Sequence, residues 1–184
     1  MYFEDLSLCD YHSGPYASCS WSVPLLAIGW LEHPHSFSKG GTLHELSQRL
    51  EEFTYASRKC YPSYCFRGVH QCSHCLLGER GNPRSVQTHV NLWIPGERVV
   101  YIAPALIIHY IGDHGYHPPD EFIAAVMRCP EYGSSSYCDA LQAANVGLPP
   151  PLKLKDQVDA EFKEQLERAL ALRGMRATPP GTGA

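Results

Sequence analysis

Cys72-Ser73-His74-Cys75 and His109-Tyr110-Ile111-Gly112-Asp113-His114 are the two stretches whose residue types and spacing can do chemistry. A C-x2-C pair forms a tight turn that presents both sulfurs to one ion, at about 2.3 Å for zinc, and an H-x4-H pair falls within the usual ligand spacing. On a regular helix a five-residue step turns by about 140°, which separates two imidazoles. Gly112 is expected to loosen the last turn and let His114 swing back toward His109. Two thiolates and two imidazoles favour zinc over Mg or Ca, which prefer oxygen ligands. The expected ligand set is therefore Cys72, Cys75, His109 and His114 around one structural Zn2+. His70 is the reserve ligand, because it lies two residues before Cys72 and points the same way if the lead-in is extended. His74 and His89 are further rivals, with His89 expected on the outward face of a strand.

Two other readings of the cysteine pair compete with this one. A thioredoxin-like redox pair would require a βαβ surround, and none is legible here. The other is coincidence, with each histidine a hydrogen-bonded helix-end residue. The remaining cysteines, at positions 9, 19, 60, 65, 129 and 138, lack partner spacing and read as buried free thiols. Arg67 is expected to brace the loop before the cysteine turn, or to present its fork to a carboxylate or phosphate. Asp113 reads as its partner, or as the group that orients a zinc histidine.

Stepping outward along the chain, Leu25 to Leu31 suits a buried strand, within a first forty residues that are otherwise loop. Thr42 and Glu45 form a capping box ahead of a helix over about 42–58, with Leu43, Leu46, Leu50 and Phe53 on one face. Tyr64 to Arg67 reads as a short strand, and Val86 to Ile94 as a strand by alternation. Pro95-Gly96 turns the latter into a hairpin with Val99 to Ile102. Pro104 suits the first turn of a buried helix over Ala105 to Ile111, ended by Gly112 and Gly115. Pro118-Pro119 opens a helix from Asp120 to Arg128 with Phe122, Ile123 and Val126 facing inward. Residues 131–151 read as loop, and 156–173 as a helix with Val158, Phe162, Leu166, Leu170 and Leu172 on one face. The expected fold class is α+β: a small antiparallel sheet or hairpin, a buried helix and flanking helices around a zinc-finger-like site. The expected organisation is one zinc-containing domain over 1–152, a C-terminal amphipathic helix over 153–174 and a disordered tail over 175–184.

Composition narrows the functional classes. The 184 residues are 44% hydrophobic and 18% charged, as in a globular domain long enough to bury a core. A net charge of −4 with scattered Lys and Arg disfavours nucleic acid. No run approaches the roughly 18 apolar residues of a membrane span, and the acidic start, Met1 to Asp5, lacks a signal-peptide pattern. The expected location is the cytoplasm, where reducing conditions turn a close cysteine pair toward metal.

Several motifs in order resemble a family of small, uncharacterised bacterial proteins, a domain of unknown function. They are Tyr2-Phe3-Glu4-Asp5-Leu6-Ser7, Ile28-Gly29-Trp30-Leu31 with His35-Ser36-Phe37, Arg67-Gly68-x-His70-x-Cys72-x-x-Cys75, and Ala103-Pro104 through His114-Gly115-Tyr116 to Pro118-Pro119-x-Glu121-Phe122-Ile123. The resemblance spans roughly residues 2–128 and implies a domain with a shared His/Cys motif and no assigned activity. This chain departs at His89, where similar proteins carry an acidic residue. The Cys60–Cys65 segment and the C-terminal helix look particular to it.

The leading functional reading is a zinc-stabilised binding module, not an enzyme, whose partner is another protein. Four protein ligands close the tetrahedron, and the aromatics Tyr11, Tyr16, Trp21 and Trp30 are expected to supply a recognition surface. The alternative is a zinc-dependent hydrolase with an open metal position, His114 or one of Glu79, Glu97, Asp113 and Glu121 acting as acid or base. A nucleic-acid-binding zinc finger is the lesser alternative, because the histidine helix is apolar where base-reading residues belong.

Overall fold

The hairpin foreseen around Pro95-Gly96 is the centre of the molecule. The structure, a computed structural model, describes residues 1–10, 20–41, 43–60, 68–77, 86–146 and 155–175. In chain order its elements are β1 (Ser20–Trp21), β2 (Leu25–Ala27), α1 (His44–Cys60), β3 (His70–Gln71), α2 (Ser73–Leu77), β4 (Gln87–Thr88), β5 (Asn91–Pro95), β6 (Val100–Pro104), α3 (Ile107–His114), α4 (Asp120–Arg128), α5 (Ser135–Ala144), β7 (Asn145–Val146) and α6 (Lys155–Met175). The main sheet runs β2-β6-β5, with β5 antiparallel to β6 from Asn91↔Pro104 to Pro95↔Val100. To this hairpin β2 adds a parallel strand, Leu25↔Val100 to Ala27↔Ile102. Two short antiparallel pairs, β1 with β7 and β3 with β4, complete an α+β architecture.

Helices α1, α4 and α5 all pack on β5, so Asn91, Leu92, Trp93 and Ile94 are buried on both faces of the strand. Leu46, Leu50, Phe53 and Ala56 form the inward stripe of α1, the three-four spacing of an amphipathic helix. Both outer edges of the sheet are covered, which removes the pairing hazard of open strand edges. On one side the N-terminal segment caps β2: Leu6 N–H donates to Ala27 O (2.8 Å), Ala27 N–H to Ser7 O (2.9 Å) and Cys9 N–H to Leu25 O (2.8 Å). On the other, the Tyr137 hydroxyl donates to Trp93 O (2.7 Å) while Trp93 N–H donates to the Tyr132 hydroxyl (3.2 Å).

Several expectations need correction. The strand expected over Leu25–Leu31 stops at Ala27, because Gly29 turns with φ of 68° and lies close under α3. A Cβ there would sit 3.0 Å from Ile107 Cγ1. The strand expected over Val86–Ile94 is two strands, since Val90 N–H donates to the Thr88 hydroxyl (3.1 Å) and breaks the ladder between them. Pro104 closes β6 instead of opening α3, and α3 runs through Gly112 to His114. Residues 131–151 are not simply loop. Ser134 Oγ accepts from Tyr137 N–H (3.2 Å), an N-cap that starts α5, whose Tyr137, Cys138 and Leu141 are buried. Trp30, expected at a recognition surface, is 1% exposed, with its indole N–H donating to Ile102 O (2.9 Å). Among the described residues of α6, the expected apolar face meets the core near Val158, while Phe162 and Leu166 are exposed. The Thr42 cap, the Tyr64–Arg67 strand, the Glu79 acid and the tail after Met175 lie outside the described residues, as do the side chains of Tyr11, Tyr16, Trp21, Cys19, Cys60, Cys65, Leu170 and Leu172.

Candidate metal centre

Each half of the site is built by a local backbone device. Cys72 follows β3 and caps α2: Leu76 N–H donates to Cys72 O (3.3 Å), and Cys75 N–H donates to Cys72 Sγ (3.4 Å). The sulfur thus takes the place that a Ser or Asp oxygen fills at an ordinary N-cap, and it is held facing the first turn that carries Cys75. Cys72 N–H is anchored on Val86 O (3.0 Å), and Ser73 Oγ accepts from His33 N–H (2.8 Å), tying the turn to the loop after Trp30.

The other half is the end of α3. Gly115 adopts φ of 67°, a left-handed cap, and its N–H and that of Tyr116 both return to Tyr110 O. This stops the helix at His114. The segment beyond is pinned by Gly40 N–H to Gly115 O (3.1 Å), by His117 N–H to Ser38 O (2.9 Å), and by the Tyr116 hydroxyl to Asp5 Oδ2 (2.8 Å). Asp5 Oδ1 also accepts from Gly29 N–H (2.8 Å), so one half-buried carboxylate joins the N-terminus, the Gly29 turn and the end of α3. Burial raises its pKa, partly opposed by these two hydrogen bonds.

Cys72 Sγ, Cys75 Sγ, His109 Nε2 and His114 Nε2 converge, with all four atoms within 4.8 Å of one another. The separations are 3.3 Å for Cys72–His114, 3.3 Å for Cys75–His109, 3.4 Å for Cys75–His114 and 3.1 Å between the imidazole nitrogens. A zinc tetrahedron with ordinary bond lengths has edges of about 3.3 Å between nitrogens and about 3.6 Å between sulfur and nitrogen. Four of the six separations thus lie near tetrahedral edges, and the cluster could hold a metal. The two imidazoles meet with ring centroids 4.8 Å apart and planes at 88°. No loosening at Gly112 is needed: α3 stays regular past it, and the two long side chains close the gap from adjacent turns.

Electrostatics and hydrogen bonds prepare the donors. His109 Nδ1–H donates to Asp113 Oδ2 (2.5 Å), which fixes the tautomer with the Nε2 lone pair toward the cluster. Burial pushes the Cys72 thiol up to about 11, opposing a bare thiolate at this position; a bound cation would reverse that preference. Burial and the neighbouring His109 lower the pKa of His114, favouring the neutral form that ligates metal.

His70, the reserve ligand, is not part of the cluster. It is 9% exposed against Trp30, and its Nε2 lies 3.3 Å from the Tyr110 hydroxyl. That hydroxyl donates to Leu31 O (3.3 Å), so it accepts from His70 Nε2–H and leaves Nδ1 as the acceptor nitrogen. Burial drives the His70 pKa down to about 4. His74 packs its ring between Phe37 and His114, outside the cluster, and His89 is exposed. Asp113 serves the histidine, while Arg67 lies outside the described residues. Sequence reasoning missed Tyr110, Tyr116 and Asp5 as supports of the site, although all three stand inside the motifs that carry the resemblance.

No described helix is long and apolar enough to cross a membrane. No curated protein and no solved structure matches the chain. A family model does match, over residues 1–127, a stretch that contains both halves of the cluster and ends within α4. The chain belongs to the family described as Domain of unknown function (DUF7919).

Proposed function

We propose that Cys72, Cys75, His109 and His114 hold one structural zinc ion, and that the domain so stabilised is a cytoplasmic protein-binding module and not an enzyme. The convergence of two sulfurs and two Nε2 atoms, four of their six separations near tetrahedral edge lengths, carries the reading. Four protein ligands leave no position for a water nucleophile. Of the acid or base candidates, Asp113 is committed to His109, Glu121 faces the Tyr101 hydroxyl (3.4 Å) and Glu97 is exposed on the hairpin turn. A base-reading helix is equally unsupported, because Ile107, Tyr110 and Ile111 of α3 are buried in the core. Exposed Val69, Leu76 and Leu77 beside the cysteine turn, 56%, 46% and 68% exposed, are the apolar surface that favours a protein partner. Residues 1–152 are proposed as the folded unit, with α6 an appendage.

Metal content after purification without added metal, with X-ray absorption at the metal edge, tests this directly. The expected result is one zinc per chain with two sulfur and two nitrogen neighbours. An oxygen neighbour would move the site to the open, hydrolytic form, and absence of metal would overturn the reading. Cys72→Ser is expected to lower thermal stability together with zinc content, because metal binding and folding are linked. A variant that loses zinc and keeps full stability would remove the structural role.

A further inference from the structure

The two sulfurs of the cluster stand in different surroundings. Cys72 is 0% exposed, its Sγ accepts from the Cys75 N–H (3.4 Å), and the His74 N–H also stabilises charge there. Cys75 is partly exposed. Its Sγ lies 3.3 Å from His109 Nε2 and 3.4 Å from His114 Nε2, and no backbone N–H donates to it among the described residues. Leu76 and Leu77, which follow it on α2, are exposed, so this side of the turn faces solvent.

This difference decides which sulfur is the better nucleophile once both are thiolates. A hydrogen bond donated to an anionic sulfur weakens as the sulfur gives its electron pair to an electrophile, so each donor adds to the barrier. Burial adds a second obstacle at Cys72, because a reagent has to reach the sulfur. Cys75 carries neither hindrance to the same degree. The pair is also placed to complete a two-electron oxidation. The sulfurs lie within 4.8 Å of each other, on residues three apart that are neighbours at the start of a helix, and Cys72 Sγ faces the turn that carries Cys75.

We propose that Cys75 is a modification site, the thiolate of the cluster that reacts first with a hydroperoxide, and that Cys72 then closes a Cys72–Cys75 disulfide. The inference rests on the zinc reading above, since a coordinated thiol is held deprotonated. With hydrogen peroxide as the oxidant, Cys75 Sγ attacks one peroxide oxygen, the O–O bond breaks, and a sulfenic acid and hydroxide form. Cys72 Sγ then attacks the Cys75 sulfur, the S–O bond breaks and a second hydroxide leaves. The two sulfurs lose two electrons between them and the peroxide gains both. Two imidazoles remain of the donor set, too few for a closed tetrahedral site, so oxidation empties the centre. Leu76 and Leu77 belong to the apolar surface assigned to a partner, and the reaction takes place beside them. In a reducing compartment such a bond is transient, which suits a sensor and not a structural crosslink.

The test uses the full chain as purified. Metal content is measured first; one portion then receives hydrogen peroxide in stoichiometric steps and another receives limiting iodoacetamide. A chromophoric chelator follows metal release, and peptide mass mapping locates the modified cysteines. The expected result is alkylation of Cys75 at least about tenfold ahead of Cys72. Peroxide is expected to produce the Cys72–Cys75 disulfide in step with release of the metal. The inference fails, with the zinc site left standing, if a metal-loaded chain is alkylated at Cys72 as fast as at Cys75. It fails in the same way if peroxide leaves both thiols free or joins Cys75 to any other cysteine. A chain that carries no metal as purified overturns the zinc reading and this inference together, and the metal analysis tells the two failures apart.

Discussion

Asp113 occupies a place on α3 where a carboxylate is locally unfavourable. It is the penultimate residue of the helix, at the negative end of the backbone dipole, and its side chain is 69% exposed. Its contact with His109 Nδ1–H explains its presence: the carboxylate fixes the orientation of the ring whose Nε2 faces the cluster. Loss of such a partner typically weakens a metal site by about 10- to 100-fold. The exposure of Asp113 allows water and salt to screen the pair, which places the expected effect at the low end. Asp113→Ala should therefore raise the apparent zinc Kd about tenfold, equivalent to about 1.4 kcal/mol. Asp113→Asn keeps an acceptor oxygen and loses the charge. A charge-assisted hydrogen bond is roughly twice as strong as a neutral one, so about half the loss should be recovered and the Kd should rise about threefold. Competition against a chromophoric chelator gives both numbers. Because removing an acid from a helix C-terminus does not weaken the helix, the variants should bind less tightly without losing helical signal. An Ala variant that binds zinc as tightly as the parent refutes the orienting role and leaves the pair as a surface ion contact.

Two further outcomes follow from the contacts that hold the site in place. Burial raises the Asp5 pKa above its ordinary 3.8, so the folded state holds this proton more tightly than the unfolded chain; the stabilisation is full below 3.8 and fades as pH rises through the folded value. Asp5→Asn keeps an acceptor for Gly29 N–H and a polar neighbour for Tyr116 without that titration, so its stability relative to the parent should improve from pH 4 toward pH 7 in paired thermal melts; a pH-independent difference would show that Asp5 does not titrate on folding. Removing residues 153–184 should lower Tm by less than about 8 °C, because Val158 is the described α6 side chain packed on the core and about 2 kcal/mol shifts a domain of this size by about 4–8 °C; loss of the cooperative transition would make α6 part of the folded unit.

The parts legible in the sequence were those governed by local rules. The stripe Leu46, Leu50, Phe53 announced α1, Pro118-Pro119 announced α4, and Pro95-Gly96 announced the β5–β6 hairpin, each a signal complete within one element. The four donors of the candidate site were legible because ligand spacing is also local, Cys72 with Cys75 and His109 with His114. What escaped depended on distant partners. The alternation across Val86–Ile94 predicted one half-exposed strand, yet three helices distant in sequence bury both faces of β5. Cys138 and Leu141 gave α5 too weak a stripe to declare itself, and its place is set by the Tyr137 hydroxyl on Trp93 O. Trp30 looked like a surface aromatic because nothing near it in sequence revealed the Ile102 carbonyl that satisfies its N–H.

The same division explains how two local motifs become one centre. Cys72 and Cys75 are organised by the N-cap of α2, His109 and His114 by the C-terminal turn of α3, and neither device refers to the other. Tyr110 connects them, since its single hydroxyl donates to Leu31 O in the loop that also bonds Ser73, and accepts from His70 two residues before Cys72. The Asp5 carboxylate does the corresponding work at the far end of α3 through Tyr116 and Gly29. The spacing of the two halves is therefore set by hydrogen bonds from the protein core, in a chain that buries its own hydrophobic interior. An ion would lock an arrangement that packing already approximates, unlike a small zinc finger in which the metal replaces a missing core. Metal removal should accordingly loosen the α2 turn and the end of α3 before it disturbs the β2-β6-β5 sheet, a gradient that amide exchange with and without chelator would read directly.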